Sequence, residues 1–436
     1  MKSNQWPYAT PLIYAADGNF SSIVTTLLKN GANPNITRKN GETALMLTAI
    51  RNYSSIATTL LENGADPNMK DDNGHSALYE AATRGCAGIT KSLIEHGADL
   101  NDVMDRTDFH LNLMRRINEA EIKEYLDTMD ILLKNGADVN AINTQGKTLL
   151  TYTSENRYLS TSLRVEIAKF LLNHNATINQ TGNDGYSALL WASKERTLDM
   201  VKLLLENGAS VNQANNIGIT PLMFASSSPK GSPEVIEILL KNNASINDTD
   251  NSGASALMYA LAEISYNSWN NYNSWNNSEV VKTLLEKGAD PSVSSKHPFE
   301  SSTPLLRAIT HKHLPTIRIL LKYGCDVNEN RYGYTPLRKA VSISNHTIIE
   351  ELINQGADVN EINLYKDETL LIQAVKIGDI EVIKTLLKHG ENINQEALNG
   401  NTAIHEAIMK NSTEIVNLLL EQNANPNTKS NFSEYL

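Results

Sequence analysis

The sequence predicts an all-α solenoid of stacked helix-turn-helix units linked by β-hairpin turns. Three observations predict it. A six-residue signature, Asn-Gly-Ala-Asp-x-Asn with its variants, occurs twelve times. The steps between its successive second positions are 33, 33, 39, 39, 33, 35, 45, 36, 32, 34 and 33 residues, so the base period is 33. A second signature, Thr-Pro-Leu or a relaxed form of it, stands at a fixed offset ahead of most copies. A period of this length marks units that cannot bury a core alone and are stabilised by stacking on their neighbours.

The elements follow in order within one unit. The first helix opens at Thr10-Pro11-Leu12, Thr220-Pro221-Leu222, Thr303-Pro304-Leu305 and Thr335-Pro336-Leu337. Relaxed copies are Thr43-Ala44-Leu45, Ser76-Ala77-Leu78, Ser187-Ala188-Leu189, Ser255-Ala256-Leu257 and Thr402-Ala403-Ile404. The hydroxyl caps a helix by accepting a backbone N–H, and proline suits the first helical position. Three residues past the Leu or Ile comes an alanine (Ala15, Ala81, Ala225, Ala260, Ala308, Ala340, Ala407) that lets two helices approach. A second helix follows with apolar residues at helical spacing, as in Ile236, Leu239 and Leu240. Glycine then ends it in the left-handed conformation. A polar turn such as Asp71-Asp72-Asn73-Gly74 leads to the next unit.

On this reading residues 1–436 form one array, with units ending near 35, 68, 101, 140, 179, 212, 247, 292, 328, 360, 394 and 427. Two places break the period. Units four and five, residues 102–179, are each six residues longer than the base period, and unit four lacks Thr-Pro-Leu. A loop or helix extension accounts for the extra length, and a bend or partner contact is the functional alternative. The eighth unit carries an insertion within 263–278, where Tyr-Asn-Ser-Trp-Asn-Asn occurs twice between Tyr266 and Asn277.

Composition excludes several classes of function. The net charge of −11 is poorly suited to nucleic acid, which calls for clustered Lys and Arg. The longest hydrophobic run is seven residues, Ala256 to Ala262, whereas a membrane-spanning helix needs about 20. Leu12 to Ala16 is too short for a secretory h-region, so a cytoplasmic location is expected. The two cysteines, Cys86 and Cys325, rule out a disulfide framework and a cysteine-ligated zinc site. No phosphate-binding glycine loop occurs. His311 and His313 flank Lys312 with no ligand cluster beside them, and the cysteines have no evident His partner. No catalytic residue, cofactor or metal is therefore expected.

The two signatures and their offsets resemble the ankyrin repeat family over roughly residues 6–429. One departure is general. The family usually carries His after Thr-Pro-Leu, and only His405 does so here. Ile13, Met46, Tyr79, Leu190, Met223, Met258, Leu306, Arg338 and Ile372 stand there in other units. The hydrogen bonds credited to that His are expected to be lost or replaced by apolar packing. Residues 430–436 follow the last unit, so the C-terminal F-box-like domain of viral ankyrin proteins is not expected.

The resemblance implies non-catalytic protein recognition by a scaffold or adaptor, through inner helices and turn tips. The partner is a protein, with no nucleic acid or membrane, and the chain is expected to be monomeric. Asparagine occurs 51 times and Lys outnumbers Arg 25 to 13, which suggests AT-rich coding. With the resemblance, this points to an effector of an intracellular bacterium or large virus acting on host proteins. The alternatives are an enzyme or enzyme-regulating subunit with a site in 102–164, and a structural spacer. Candidate contacts come in three groups: Phe299, Tyr332, Tyr334, Leu364 and Tyr365 at turn tips, Trp191, Phe224 and Tyr259 on inner helices, and Trp269 and Trp275 in the insertion. Aromatic side chains of this kind are favoured interface anchors.

Overall fold

The computed structural model describes residues 9–104, 122–143, 146–227, 231–261, 277–295, 303–330, 333–363 and 368–430. Among these residues it contains twenty-four helices and one two-stranded sheet. The chain divides into two compact units, Met1–Asn216 and Ile217–Leu436.

In the first unit the helices come in packed pairs: α1 (Pro11–Asp17) with α2 (Ser21–Lys29), α3 (Ala44–Arg51) with α4 (Ser54–Glu62), and α5 (Ala77–Ala82) with α6 (Ala87–Glu95). A short α7 (Asn101–Met104) packs on α5, and α8 (Ile122–Lys134) packs on α6. Then come α9 (Leu149–Glu155) with α10 (Thr161–Asn173), and α11 (Ala188–Lys194) with α12 (Leu198–Glu206). The long units place their extra residues partly in the second helix: α8 and α10 have 13 residues each, where α2, α4, α6 and α12 have nine.

The second unit contains α13 (Pro221–Ser226) with α14 (Pro233–Lys241), α15 (Ala256–Ala260) with α16 (Ser278–Glu286), and α17 (Pro304–Thr310) with α18 (Leu314–Lys322). It continues with α19 (Pro336–Ser342) and α20 (His346–Asn354), α21 (Leu370–Ile377) and α22 (Ile380–Lys388), and α23 (Ala403–Met409) and α24 (Thr413–Glu421). Its sheet pairs β1 (Ile362–Asn363) with β2 (Glu368–Thr369), antiparallel, with Ile362 opposite Thr369. Elsewhere the turns close on two backbone bonds, as where Asp71 N–H donates to His75 C=O and Gly74 N–H to Asp71 C=O.

The motif residues perform the local tasks that their chemistry suggests. The side chains of Thr10, Ser76, Thr148, Ser187, Thr303 and Thr335 each accept the backbone N–H three residues on. The helix-facing alanines Ala15, Ala81, Ala225, Ala260, Ala308 and Ala340 are buried, so their small size is used at the contact. All twelve second positions of the six-residue signature have positive φ, nine as Gly and three as Asn175, Asn243 and Asn423. Their surroundings explain the exchange. A Cβ built on Gly208 meets nothing within 4 Å, whereas one on the turn-tip Gly185 would lie 2.6 Å from the Asn216 backbone nitrogen. Asparagine tolerates the left-handed region but cannot remove such a clash.

The last residue of the signature ties one repeat to the next. Asn68 Nδ2 donates to Gly97 C=O at 3.0 Å, and its Oδ1 accepts Asp99 N–H at 2.8 Å. The same pair of bonds joins Asn35 to Gly64 and Asp66, Asn247 to Gly288 and Asp290, and Asn328 to Gly356 and Asp358. Asn140, Asn179 and Asn360 bridge in the same way. Among the described residues Asn101 and Ser292 make no such bridge. Asn101 opens α7 in the irregular region, and serine is too short to reach both groups.

Where the family histidine is missing, Ile13, Leu190, Met258, Leu306 and Ile372 are buried apolar residues, as expected, and three other units add a polar contact. His405 does bond its cap, with Thr402 N–H 3.2 Å from Nδ1. At Met46 and Met223, however, the thioether sulfur takes over as a weak acceptor, 3.4 and 3.5 Å from the N–H of Thr43 and Thr220. At Arg338 the substitute is an ion-pair network, described below.

Candidate partner-binding surfaces

In the first unit the distinctive feature of the inner helices is a stack of rings and lysines around Trp191. Ser187 caps α11, which places Trp191 one turn in, with its indole 9% exposed. Tyr186, just before the cap, lies 4.6 Å from it, ring centre to ring centre. Lys194, one turn further on, puts Nζ 4.5 Å from the indole and 5.1 Å from the phenol. Lys147 approaches the other repeat's indole at 5.2 Å while its ammonium pairs with Glu155 at 2.6 Å. Burial lowers the pKa of Lys194, against the pull of Glu195, and raises that of Tyr186. Beside this stack Arg157 donates to both oxygens of Glu195 at 2.5 and 2.6 Å. The arrangement is an aromatic platform with its cations held at ring faces, an attraction that desolvation strengthens.

In the second unit, Phe224 on α13 is buried and Tyr259 on α15 is half-buried. The Tyr259 hydroxyl donates to Asp250 Oδ2 at 2.8 Å. Asp250 also accepts from the N–H groups of Ser252 and Ala254, both 2.9 Å away. Burial raises the Asp250 carboxyl, but these hydrogen bonds outweigh it and hold the pKa below the usual carboxylate range. Arg307, at the equivalent position on α17, donates to Met258 C=O at 3.1 Å, and burial lowers its pKa against the pull of Asp250.

Further along the second unit, Arg338 is 3% exposed and sits where the family carries His. Its Nε lies 3.0 Å from Glu361 Oε1, and its Nη1 lies 3.7 Å from Glu368 Oε1 and 3.1 Å from Gln373 Oε1. Thr335, the cap of α19, donates to Glu361 at 2.7 Å. Lys376 reaches Glu368 at 3.1 Å. Close by, Glu391 replaces the signature alanine. Its Oε1 accepts Leu371 N–H at 2.6 Å, while its buried Oε2 has no hydrogen-bond partner among the described residues. Burial pushes its pKa up to about 8, the Leu371 bond and Arg338 opposing that shift.

The candidate contacts from sequence fall as follows. Trp191 lies in the first unit, and Phe224, Tyr259 and the half-buried Tyr334 lie in the second. Phe299, Tyr332, Leu364, Tyr365, Trp269 and Trp275 lie outside the described residues. The final residue of the insertion, Asn277, is described: its buried amide accepts Gly231 N–H at 3.1 Å and donates to Ala260 C=O at 3.1 Å. His311 caps the end of α17, and His313 Nδ1 lies 2.8 Å from Thr316 Oγ1 at the start of α18. Burial raises Cys86 to about 11 and Cys325 to about 12, away from thiolate chemistry. Sequence reasoning missed the Arg338–Glu361–Glu368 network. The one available signal was Arg338 at a position that is otherwise buried.

The family described as ankyrin repeats (3 copies) matches residues 10–104, 117–215, 210–291, 271–363 and 340–430. A fowlpox virus (strain NVSL) ankyrin repeat protein, FPV219, is 39% identical over 137 residues, 31% of either chain. Mouse BCL-6 corepressor-like protein 1 is 40% identical over 70 residues, 16% of this chain and 4% of its own length. Human 2-5A-dependent ribonuclease is 40% identical over 62 residues, 14% of this chain and 8% of its own length. The chain thus spans under a third of the length of these relatives. Among solved structures, the human ASB11 ankyrin repeat domain (26% identical, TM-score 0.42) and the Bcl-3 ankyrin repeat domain (26% identical, TM-score 0.44) each align over 54% of this chain and 99% of their own. With the family matched along nearly its whole length, this chain belongs to the ankyrin repeat family.

Proposed function

We propose that this chain is a non-catalytic scaffold or adaptor that recognises a protein partner through inner-helix and turn-tip side chains. One observation carries the reading. The periodic residues are consumed by caps, helix contacts and the asparagine bridges, while the inner-helix position two past the signature Leu or Ile varies freely. It holds Tyr14, Trp191, Phe224, Tyr259, Arg307, Lys339 and Glu406 in different repeats. Variation at a fixed place on a repeated framework is what a recognition surface requires. Phe299, Tyr332, Tyr334, Leu364 and Tyr365, and Trp269 and Trp275 in the insertion, are further candidate contacts from the sequence.

The net charge of −11 favours a partner with basic or mixed charge. The fowlpox relative and the asparagine-rich composition support the finer reading of a pathogen effector acting on host proteins; that the chain is a monomer in the host cytoplasm is part of the proposal.

The test is affinity capture from source-cell and host-cell lysates, comparing wild type with a variant carrying Phe299→Ala, Tyr332→Ala, Tyr334→Ala and Tyr365→Ala. A thermal melt checks that both are folded. A host protein captured by wild type and lost by the folded variant is the expected result. Equal capture by both removes the tips from the surface and leaves the inner-helix aromatics, tested by Trp191→Ala. Capture of nothing by any form, from either lysate, counts against the scaffold.

A further inference from the structure

We propose that Asp71, His75 and Glu80 form a binding site for a divalent transition-metal ion, with Zn²⁺ the ion best matched to the donors. The three residues converge where the turn before α5 runs into that helix. His75 Nδ1 lies 3.8 Å from Asp71 Oδ2 and 3.6 Å from Glu80 Oε1. One donor atom from each residue falls within 4.8 Å of the others. Zinc holds nitrogen and oxygen ligands at about 2.0–2.1 Å in a tetrahedron, which separates neighbouring donors by about 3.4 Å. The two measured gaps are therefore a few tenths of an ångström wider than a bound ion would set.

The supporting contacts favour a metal site because each arm is already held through a different atom. Asp71 Oδ1 accepts the N–H groups of Asn73 and His75 at 2.9 and 2.7 Å, which leaves Oδ2 turned toward the imidazole. Glu80 Oε2 pairs with Arg84, while Oε1 faces His75. The His75 ring stacks on Tyr79, centroids 4.2 Å apart and planes 13° apart, and Tyr79 is 2% exposed. Partners of this kind orient ligands and raise metal affinity. Asn73 Nδ2, 3.4 Å from Asp71 Oδ2, competes for that oxygen, and an ion would displace that long bond. The side chains of Asp71 and Glu80 are only 7% and 12% exposed, so two carboxylates crowd a half-buried site and a cation between them relieves their repulsion. Imidazole with carboxylates is a donor set that zinc accepts, water completing the coordination. A protonated His75 bridging the two carboxylates would give a similar arrangement, and the experiment separates the two.

The full chain, stripped with a chelator, is titrated with Zn²⁺ by calorimetry and with Co²⁺ by visible absorption. Its variants are His75→Ala, Glu80→Gln and, as a control for the other histidines, His311→Ala with His313→Ala. We expect one site of micromolar affinity, a rise in melting temperature with zinc, and at least about a tenfold weakening in His75→Ala and in Glu80→Gln. The His311/His313 control should bind as wild type does. Glu80→Gln keeps the shape of the side chain, so it reads the site even if His75→Ala perturbs the turn. No binding at millimolar zinc, or equal binding by wild type and both site variants, overturns the proposal and leaves an ion pair only.

Discussion

The Trp191 region of the first unit and the Arg338 region of the second place charge beside the same repeat framework in opposite ways. Around Trp191 the lysines stay at ring faces, and the Arg157–Glu195 pair keeps its guanidinium 71% exposed. Around Arg338 the guanidinium side chain is 4% exposed, and Glu361 and Glu368 are 14% and 9% exposed. In the first arrangement Arg157 keeps its hydration, while Lys147 and Glu195 are 14% and 10% exposed and lean on a ring face or an exposed partner. The second removes hydration and depends on mutual pairing. Exposed ion pairs contribute little, whereas an ion pair broken inside a protein leaves an uncompensated charge. A charge on the same repeat framework can thus be cheap or hazardous to change, depending on burial.

Arg338→Ala tests this contrast most severely. It should destabilise the surrounding repeats by about 3–5 kcal/mol, because Glu361 and Glu368 lose their shared cation. Hydrogen exchange resolved by segment is the suitable readout, since repeats unfold as neighbouring groups rather than all at once. Faster exchange in α19 and α21 is expected, with Met1–Asn216 unchanged.

Glu391→Gln sharpens the comparison through pH. Burial holds the folded pKa of Glu391 at about 8, above the ordinary carboxylate value of 4.5. Stability from the neutral carboxyl is fully present below the unfolded pKa and is lost as pH rises through about 8. Wild type should therefore weaken between pH 5 and pH 9 relative to Glu391→Gln, by about 2–4 kcal/mol. Parallel melting curves for the two proteins across that range would show that the buried carboxyl does not govern this region.

Trp191→Ala should cost about 3 kcal/mol, the low end of the range for a buried tryptophan, because the residue keeps 9% of its surface exposed. Lys194→Ala should cost only about 0.5–1 kcal/mol, as for a cation at a ring face. If the lysine change costs as much as the tryptophan change, the platform is held by charge and not by packing. The smallest expected effect is a gain. Ser292→Asn supplies the amide that bridges other repeats, and about 0.5–1.5 kcal/mol of local stability should follow. Hydrogen exchange at Asp326 N–H reads it directly.

Much of the fold was legible in the sequence because its decisions are local. The Thr and Ser caps, the first-turn prolines and the positive-φ residues each act within four or five residues and fall where the signatures put them, except that Ser255 starts its helix without a side-chain cap bond. The longer second helices of units four and five are likewise a local extension. The candidate site was legible in kind but not in exposure. Trp191, Phe224 and Tyr259 share one position in their repeats, yet the first two are buried and the third is half-buried and bonded to Asp250. Exposure depends on what the adjacent repeat offers, which no single repeat encodes. The cluster of Asp71, His75 and Glu80 spans ten residues but escaped notice, because its spacing crosses from a turn into a helix and fits neither period.

The sequence by itself determined the repeat, its period, its helix boundaries and its membership of a family, because these rest on backbone preferences and on a pattern repeated twelve times. The tertiary structure alone decided what those repeats do with their exceptions. It paired Asn68 with Gly97, closed Arg338 on Glu361 and Glu368, and sealed Glu391 against Leu371. Each of these contacts joins residues about 20–30 positions apart, brought together only when one repeat lies against another. Burial then sets their strength, since a charge or an amide has a different energy in water from the one it has between two helices.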